Sequence, residues 1–296
     1  MAESAGPRWR SPETTTRDAS RVPVIPYGDQ YEYATFVRRI TSVTEPALRR
    51  RQLERHLLTV DADTAAAHLQ RLLRDGVRGS RAANEILLPL AEFVHQANEQ
   101  HALALEAVNL AARSAELHGV GWYLLNPRPF QELDERVAKN MRAESMSLGH
   151  RKAAAGQGDR RLLERLVNDP HPMVIERLCR NPRIQEGHVL NIATRRPTTA
   201  ALLETVALTP KWLRNPTVRE ALAQNPYIPT GVALRLLPTL RPKVLATMPH
   251  SSQLHDALKQ FARYLLELRV SEPERPNPDL DNAATRPRGS SPRKND

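Results

Sequence analysis

The sequence predicts an all-α fold: a right-handed α-solenoid of short helical repeats, preceded by an irregular helical-hairpin domain and flanked by disordered tails. Three observations predict it. The first is an internal repeat. Pro172–Leu190 (PMVIERLCRNPRIQEGHVL) and Pro216–Leu234 (PTVREALAQNPYIPTGVAL) align without gaps at an offset of 44 and agree at nine of nineteen positions, where unrelated stretches share about one or two. The second is apolar residues recurring three and four positions apart from Asp29 onward, the period of an amphipathic helix. The third is composition. With 40 % hydrophobic but only 4 % aromatic residues, the chain suits a thin, extended helical core.

In chain order, residues 1–28 are rich in Pro, Ser, Thr and charge and read as a disordered tail. Within it, Val22-Pro23-Val24-Ile25-Pro26-Tyr27 is a short apolar patch suited to docking on a partner or, as is commoner for a lone patch, to packing on the chain's own fold. A helical domain is expected over residues 29–147. Its first helix places Tyr33, Phe36, Val37 and Ile40 on one face, and further helices are expected at Pro46–Leu58, Asp63–Leu73, Ala82–Gln96 and His101–His118. Leu69, Leu72 and Leu73 mark the inner face of one, and Leu103, Leu110 and Leu117 that of another. Pro89 is expected to kink its helix, and His118-Gly119 to end one. Gly121–Phe130 (GWYLLNPRPF) is the densest aromatic cluster. Its Trp122, Tyr123 and Phe130 suit a packed junction better than a ligand pocket. Leu133–Met146 reads as a linking helix.

The repeat domain is expected over residues 148–269. Each clear copy reads as two short helices with a hard stop between them. Val174 and Leu178, like Val218 and Leu222, share a helical face. Pro172 and Pro216 stand where a helix begins, because the first-turn N–H has no intrahelical partner to lose. Asn181-Pro182 and Asn225-Pro226 end that helix: proline breaks the ladder and the asparagine side chain satisfies a freed backbone group. The second helices are expected at Glu186–Ala193 and Pro229–Leu237. Helices this short are not stable alone and must lay their apolar faces on neighbours. Weaker copies surround these. Arg196-Pro197 with Leu202, Leu203, Val206 and Ala207 is one, Met248-Pro249 with Leu254, Leu258 and Phe261 is another, and Ala153–Leu166 keeps the rhythm with Gly156 and Gly158 as its break. A longer helix, Gln253–Arg269, suits a terminal cap, and residues 270–296 read as a second disordered tail.

The segments VREALAQNPYIPTGVALRLL and VIERLCRNPRIQEGHVLNIA resemble bacterial leucine-rich-repeat-variant proteins and HEAT-like α-solenoids, over about residues 148–269. That resemblance implies a scaffold and no particular activity. Some leucine-rich-repeat-variant proteins carry a cysteine-ligated iron–sulfur cluster, for which this chain's single cysteine is insufficient. Some HEAT-like solenoids are base-excision enzymes that hold DNA on a basic concave surface with aromatic and acidic residues. Trp212 beside Lys211 and Arg214 matches part of that pattern, but no Asp or Glu lies within three residues of Trp212.

Charge is unevenly placed. The formal net charge is +10, and residues 148–269, with 19 Lys and Arg against 9 Asp and Glu, carry an excess of that whole size. An acidic partner is implied. The candidate partner- or phosphate-binding residues are Arg177, Arg180, Arg183, Arg195, Arg196, Lys211, Arg214 and Arg219, weighed against the plainer reading of a solvated face. One cysteine, Cys179, rules out an internal disulfide and fits a reducing cytoplasm and a small buried hydrophobe. No segment is long and apolar enough to span a membrane, and the N-terminus lacks the apolar core of a secretory signal. The ten histidines form no H-E-x-x-H, and no nucleotide-binding glycine motif or G-x-S-x-G occurs. No enzyme, metal or cofactor is therefore expected. The reading is a cytoplasmic adaptor that binds an acidic protein, with nucleic-acid binding through clustered arginines as the alternative.

Overall fold

A computed structural model describes residues 28–127, 130–131, 146–157 and 159–271. The expected tails, the Val22–Tyr27 patch and the linking helix over Leu133–Met146 lie outside the described residues, apart from their edges. Among the described residues there are sixteen α-helices and no strand, so the all-α reading holds.

The first six helices are α1 (Gly28–Thr41), α2 (Pro46–Thr59), α3 (Ala62–Val77), α4 (Arg81–His95), α5 (Glu99–Ser114) and α6 (His118–Leu124). Starts are set by side chains that satisfy orphan N–H groups. Asp61 accepts from Thr64 N, Ser80 from Ala83 N and Asn98 from His101 N. The expected inner faces of α1 and α3 are buried. That of α5 is not: Leu103 and Leu110 are 70 % and 56 % exposed, while Leu105, Val108 and Ala112 face inward. A seven-residue spacing marks one side of a helix without saying which side meets a neighbour, and α3 packs on the Leu105 side. His118-Gly119 does not stop a helix but opens α6, since the chain turns earlier, at Ala115 and Glu116. A Cβ on Gly119 would meet Gln70 Oε1 at 2.6 Å and Tyr264 Cε1 at 3.0 Å, so a larger residue there requires the Gln70 side chain to move.

A buried histidine pair sits among α1, α2 and α3. His56 Nε2 lies 3.2 Å from His68 Nδ1, and Phe36 stacks on both rings. Burial, then His68 and Arg39, pushes His56 down to about 4. A base held neutral in the fold stabilises it fully above its unfolded pKa, near 6.5, and loses that contribution as pH falls toward the folded value. The melting temperature is therefore expected to drop between pH 6.5 and 5. A His56→Leu variant should show a shallower slope in the same window, measured by circular dichroism.

The remaining helices are α7 (Leu148–Gln157), α8 (Arg160–Leu166), α9 (Pro172–Cys179), α10 (Glu186–Thr194), α11 (Ala200–Ala207), α12 (Pro210–Leu213), α13 (Pro216–Ala223), α14 (Thr230–Leu236), α15 (Pro242–Thr247) and α16 (Asp256–Val270). Of the two glycines expected to form the break, Gly156 is helical, and Gly158 lies outside the described residues. The two repeat copies match in detail. Val174 and Val218, Leu178 and Leu222, and Cys179 and Ala223 are all fully buried. Burial pushes the Cys179 thiol up to about 12, as for an inert core side chain. Asn181 and Asn225 are buried too, and each side chain works twice. The Asn181 amide donates to Ala155 O at 2.8 Å while its oxygen accepts from Arg183 N. The Asn225 amide donates to Ala193 O at 2.8 Å while its oxygen accepts from Tyr227 N. Each asparagine thus holds its own turn and satisfies a carbonyl near the C-terminal end of an earlier helix, α7 or α10.

Around these contacts α9 packs on α7 and α11, and α13 on α10. Further on, α14 packs on α4 and α6, and α16 on α3 and α6. Trp122 stacks against Phe261 at 6.4 Å, Tyr123 is fully buried with its hydroxyl donating to Leu87 O, and Phe130 stays exposed. Two arginines exchange helix ends across this seam. Arg78, just past α3, donates to Leu268 O and Ser271 O, and Arg269 of α16 donates to Val77 O at 2.6 Å. Each cation meets the partial negative charge of the other helix's C-terminus. Buried side chains from Tyr33 to Leu268 form one contiguous cluster.

Candidate interaction surface

The eight basic residues singled out from the sequence divide into three groups. Arg219 does not belong to a surface. It is 8 % exposed and its guanidinium donates to Leu213 O and Arg214 O, both at 2.9 Å, and to Thr239 O at 3.3 Å. Its position corresponds to Ile175 in the first copy, a core site. Here the cation is absorbed by carbonyls at the ends of α12 and the turn after α14, and burial lowers its pKa.

Arg195 and Arg196 are anchored as well. Arg195 is half-buried and donates to Val167 O at 2.7 Å and Asn168 O at 3.2 Å, beyond the end of α8. Arg196 is exposed, yet its two terminal nitrogens hold Gln224 O and Gln253 Oε1, each at 2.7 Å. They act as ties between neighbouring turns, with Arg196 still presenting charge to solvent.

The other five are exposed: Arg177 and Arg180 at the end of α9, Arg183 two residues past its stop, and Lys211 and Arg214 on and just after α12. One contact brings the two helix ends together. Trp212 of α12 donates its indole N–H to Cys179 O at 2.8 Å. Arg180 follows Cys179 and Lys211 precedes Trp212, so both cations flank that bond. The Lys211 ammonium lies 4.4 Å from the Trp212 ring centroid, a cation–π contact worth about 0.5–1 kcal/mol when exposed. Arg180 pairs with Glu176 at 2.8 Å on its own helix, an exposed pair of small value. Arg177 packs against α7, where a Cβ on Gly156 would meet its Nε at 2.8 Å. Arg177 and Arg214 form no ion pair with any described residue.

Trp212 itself is 5 % exposed. Its ring is part of the core, so it offers no face on which a nucleic-acid base can stack. Arg161 and Lys243 add exposed cations that the sequence reading passed over. The regional charge excess was the available signal, but spacing gives no means of telling an exposed arginine from a carbonyl-bound one. Among the described residues no group of three or more His, Cys, Asp or Glu is placed to hold a metal ion, and no helix is long and apolar enough to cross a membrane. Compared with family models, curated proteins and solved structures, the chain matches none.

Proposed function

We propose that the chain is a non-catalytic adaptor. In this reading, residues 148–269 form a right-handed α-solenoid similar to leucine-rich-repeat-variant and HEAT-like proteins, and residues 29–147 brace it. The solenoid docks an acidic protein along the edge carrying Arg177, Arg180, Arg183, Lys211 and Arg214. The observation that supports it is the meeting of the α9 and α12 ends at the Trp212–Cys179 bond, which gathers exposed cations of two helices on one edge. Clustered charge of one sign raises the local concentration of the opposite one and speeds encounter. A cytoplasmic setting fits the single buried thiol.

The second reading, phosphate backbone binding by the same cations, is favoured by their arginine content and disfavoured by the burial of Trp212. Both readings are tested on the full chain by fluorescence anisotropy with a labelled polyglutamate peptide and with DNA and RNA oligomers, across 50 to 200 mM salt. The test variant is Arg177→Glu/Lys211→Glu/Arg214→Glu, which touches none of the carbonyl-holding arginines. Peptide binding that weakens at least about tenfold in the variant is the expected result, since each reversed rim charge acts on encounter and salt dependence. Oligomer binding that is tighter and falls by orders of magnitude over the salt range would replace the adaptor reading with the second. Binding of neither probe rejects this edge as a polyanion site.

A further inference from the structure

A second exposed surface lies on the first six helices. Among the described residues seven large apolar side chains are exposed, and four of them stand on α2 and α5: Leu48 and Leu58, and Leu103 and Leu110. A lone exposed leucine needs no explanation, but a grouped set marks an interaction surface. Charges share the two faces. Leu48, Arg51, Arg55 and Leu58 follow one another at steps of three and four, as do Glu99, Leu103, Glu106 and Leu110, so each set runs along one side of its helix.

The four charged side chains are all exposed, and among the described residues none of them takes part in a hydrogen bond or ion pair. Their neighbours are engaged. Arg50 meets Glu92 at 3.0 Å, and His101 Nε2 of α5 lies 2.9 Å from Glu54 Oε1 of α2. That last contact and the packing of α2 on α5 set the two helices side by side. Their outer stripes both face solvent, so they are not matched within one chain. The α2 stripe offers leucines and cations, and the α5 stripe offers leucines and anions. The two are of similar length, about 15–17 Å.

We propose that the chain forms a two-fold symmetric dimer in which α2 of one protomer packs on α5 of its partner. Such an axis makes the contact twice, α2 on α5 and α5 on α2, so one self-complementary surface is enough. The leucines form the dry centre, and Arg51 and Arg55 of one protomer meet the charges of Glu99 and Glu106 on the other copy. Mixed charge is what singles out a second copy as the occupant. An acidic partner or an anionic lipid surface fits α2 and is repelled by α5. Long-range charge points the same way. Residues 148–269 carry an excess of +10 and repel their like, whereas residues 1–147 hold 19 Lys and Arg against 19 Asp and Glu, so two copies approach through this half without net repulsion. None of the cations of the basic edge takes part.

The test uses the full chain. Sedimentation velocity from about 1 to 200 µM is expected to show the mass rising from one chain toward two, the range in which a modest interface dissociates. Leu103→Ser/Leu110→Ser should stay monomeric with an unchanged melting temperature, because both side chains already meet water in the single chain. Charge reversal identifies the pairing. Arg51→Glu/Arg55→Glu places anions on both helices, and Glu99→Arg/Glu106→Arg places cations on both, so each variant alone is expected to be monomeric. Mixed in equal amounts, the two restore opposite charges at both contacts and should form a heterodimer. A wild type that stays monomeric over the whole range overturns the proposal, whether this face is covered by the Val22–Tyr27 segment or by nothing. A dimer that survives the leucine and charge variants, or charge variants that do not recombine on mixing, overturns it as well.

Discussion

Replacing Asp169 with alanine is expected to destabilise the fold by about 3–5 kcal/mol, the usual cost of stranding one half of a buried ion pair. Asp169 has a fully buried side chain, and its Oδ2 lies 2.8 Å from Arg151 Nε, whose own side chain is 9 % exposed. The pair is held by charge and not by hydrogen-bond alignment, since neither atom has a well-aligned hydrogen-bond partner. The other oxygen, Oδ1, accepts from His171 N and so ties the residue to the start of α9. Asp169→Asn separates the two roles. It can keep the backbone acceptor and the shape while removing the charge, so a loss close to that of alanine assigns the effect to the ion pair. The double variant Arg151→Met/Asp169→Leu should recover much of the stability, because a packed apolar pair needs no desolvation of charge. Urea melts of the wild type, Arg151→Met, Asp169→Leu and the double variant, compared as a cycle, give the answer. Additive losses in the double variant would show that the pair is not coupled.

The second large effect is expected at Phe261. The side chain is fully buried in α16 and stacks against Trp122 of α6 and Tyr264 of its own helix. Phe261→Ala should cost about 3–5 kcal/mol by lost transfer free energy and a cavity the surroundings fill only in part. Its position makes the measurement informative beyond the number. Trp122 reports from the first six helices and Trp212 from the repeats, so single-tryptophan variants follow the two stretches separately. Coincident urea transitions for both probes are expected in the wild type, as for one cooperative unit. Separated transitions would show that the contacts of α14 and α16 with α3, α4 and α6 do not couple the stretches. Tyr264 adds a polar tie at the same place, accepting from Gln70 at 2.7 Å.

The two repeat copies explain why so much of the C-terminal half was legible without coordinates. Proline at a helix start and Asn-Pro at its end act on the backbone of their own turn, so their consequences do not wait for tertiary partners. The helices therefore begin at Pro172 and Pro216 and end before Asn181 and Asn225, as the sequence predicts. The same locality holds for the inner faces of α1 and α3, where several apolar residues on one side leave a single way to pack.

What failed did so where a side chain had a choice of partner. Leu103 and Leu110 are as apolar as the residues that α5 buries, and only the placement of α3 decides which side is covered. The arginines show the same dependence. Arg219 is written like Arg214 in the sequence, yet one stands in the core position of Ile175 holding three carbonyls while the other reaches solvent. Asn191 and Arg235 occupy one repeat position, and it is the covering of the second copy by α4 and α6 that turns an exposed polar site into a buried cation. The all-helical class, the starts and stops of the helices at Pro172 and Pro216, and the regional charge excess thus came from the sequence by itself. Which charges are surface, which are ties and which are buried was decided by tertiary packing, because the free energy of a charge depends on its distance from water and from its acceptors.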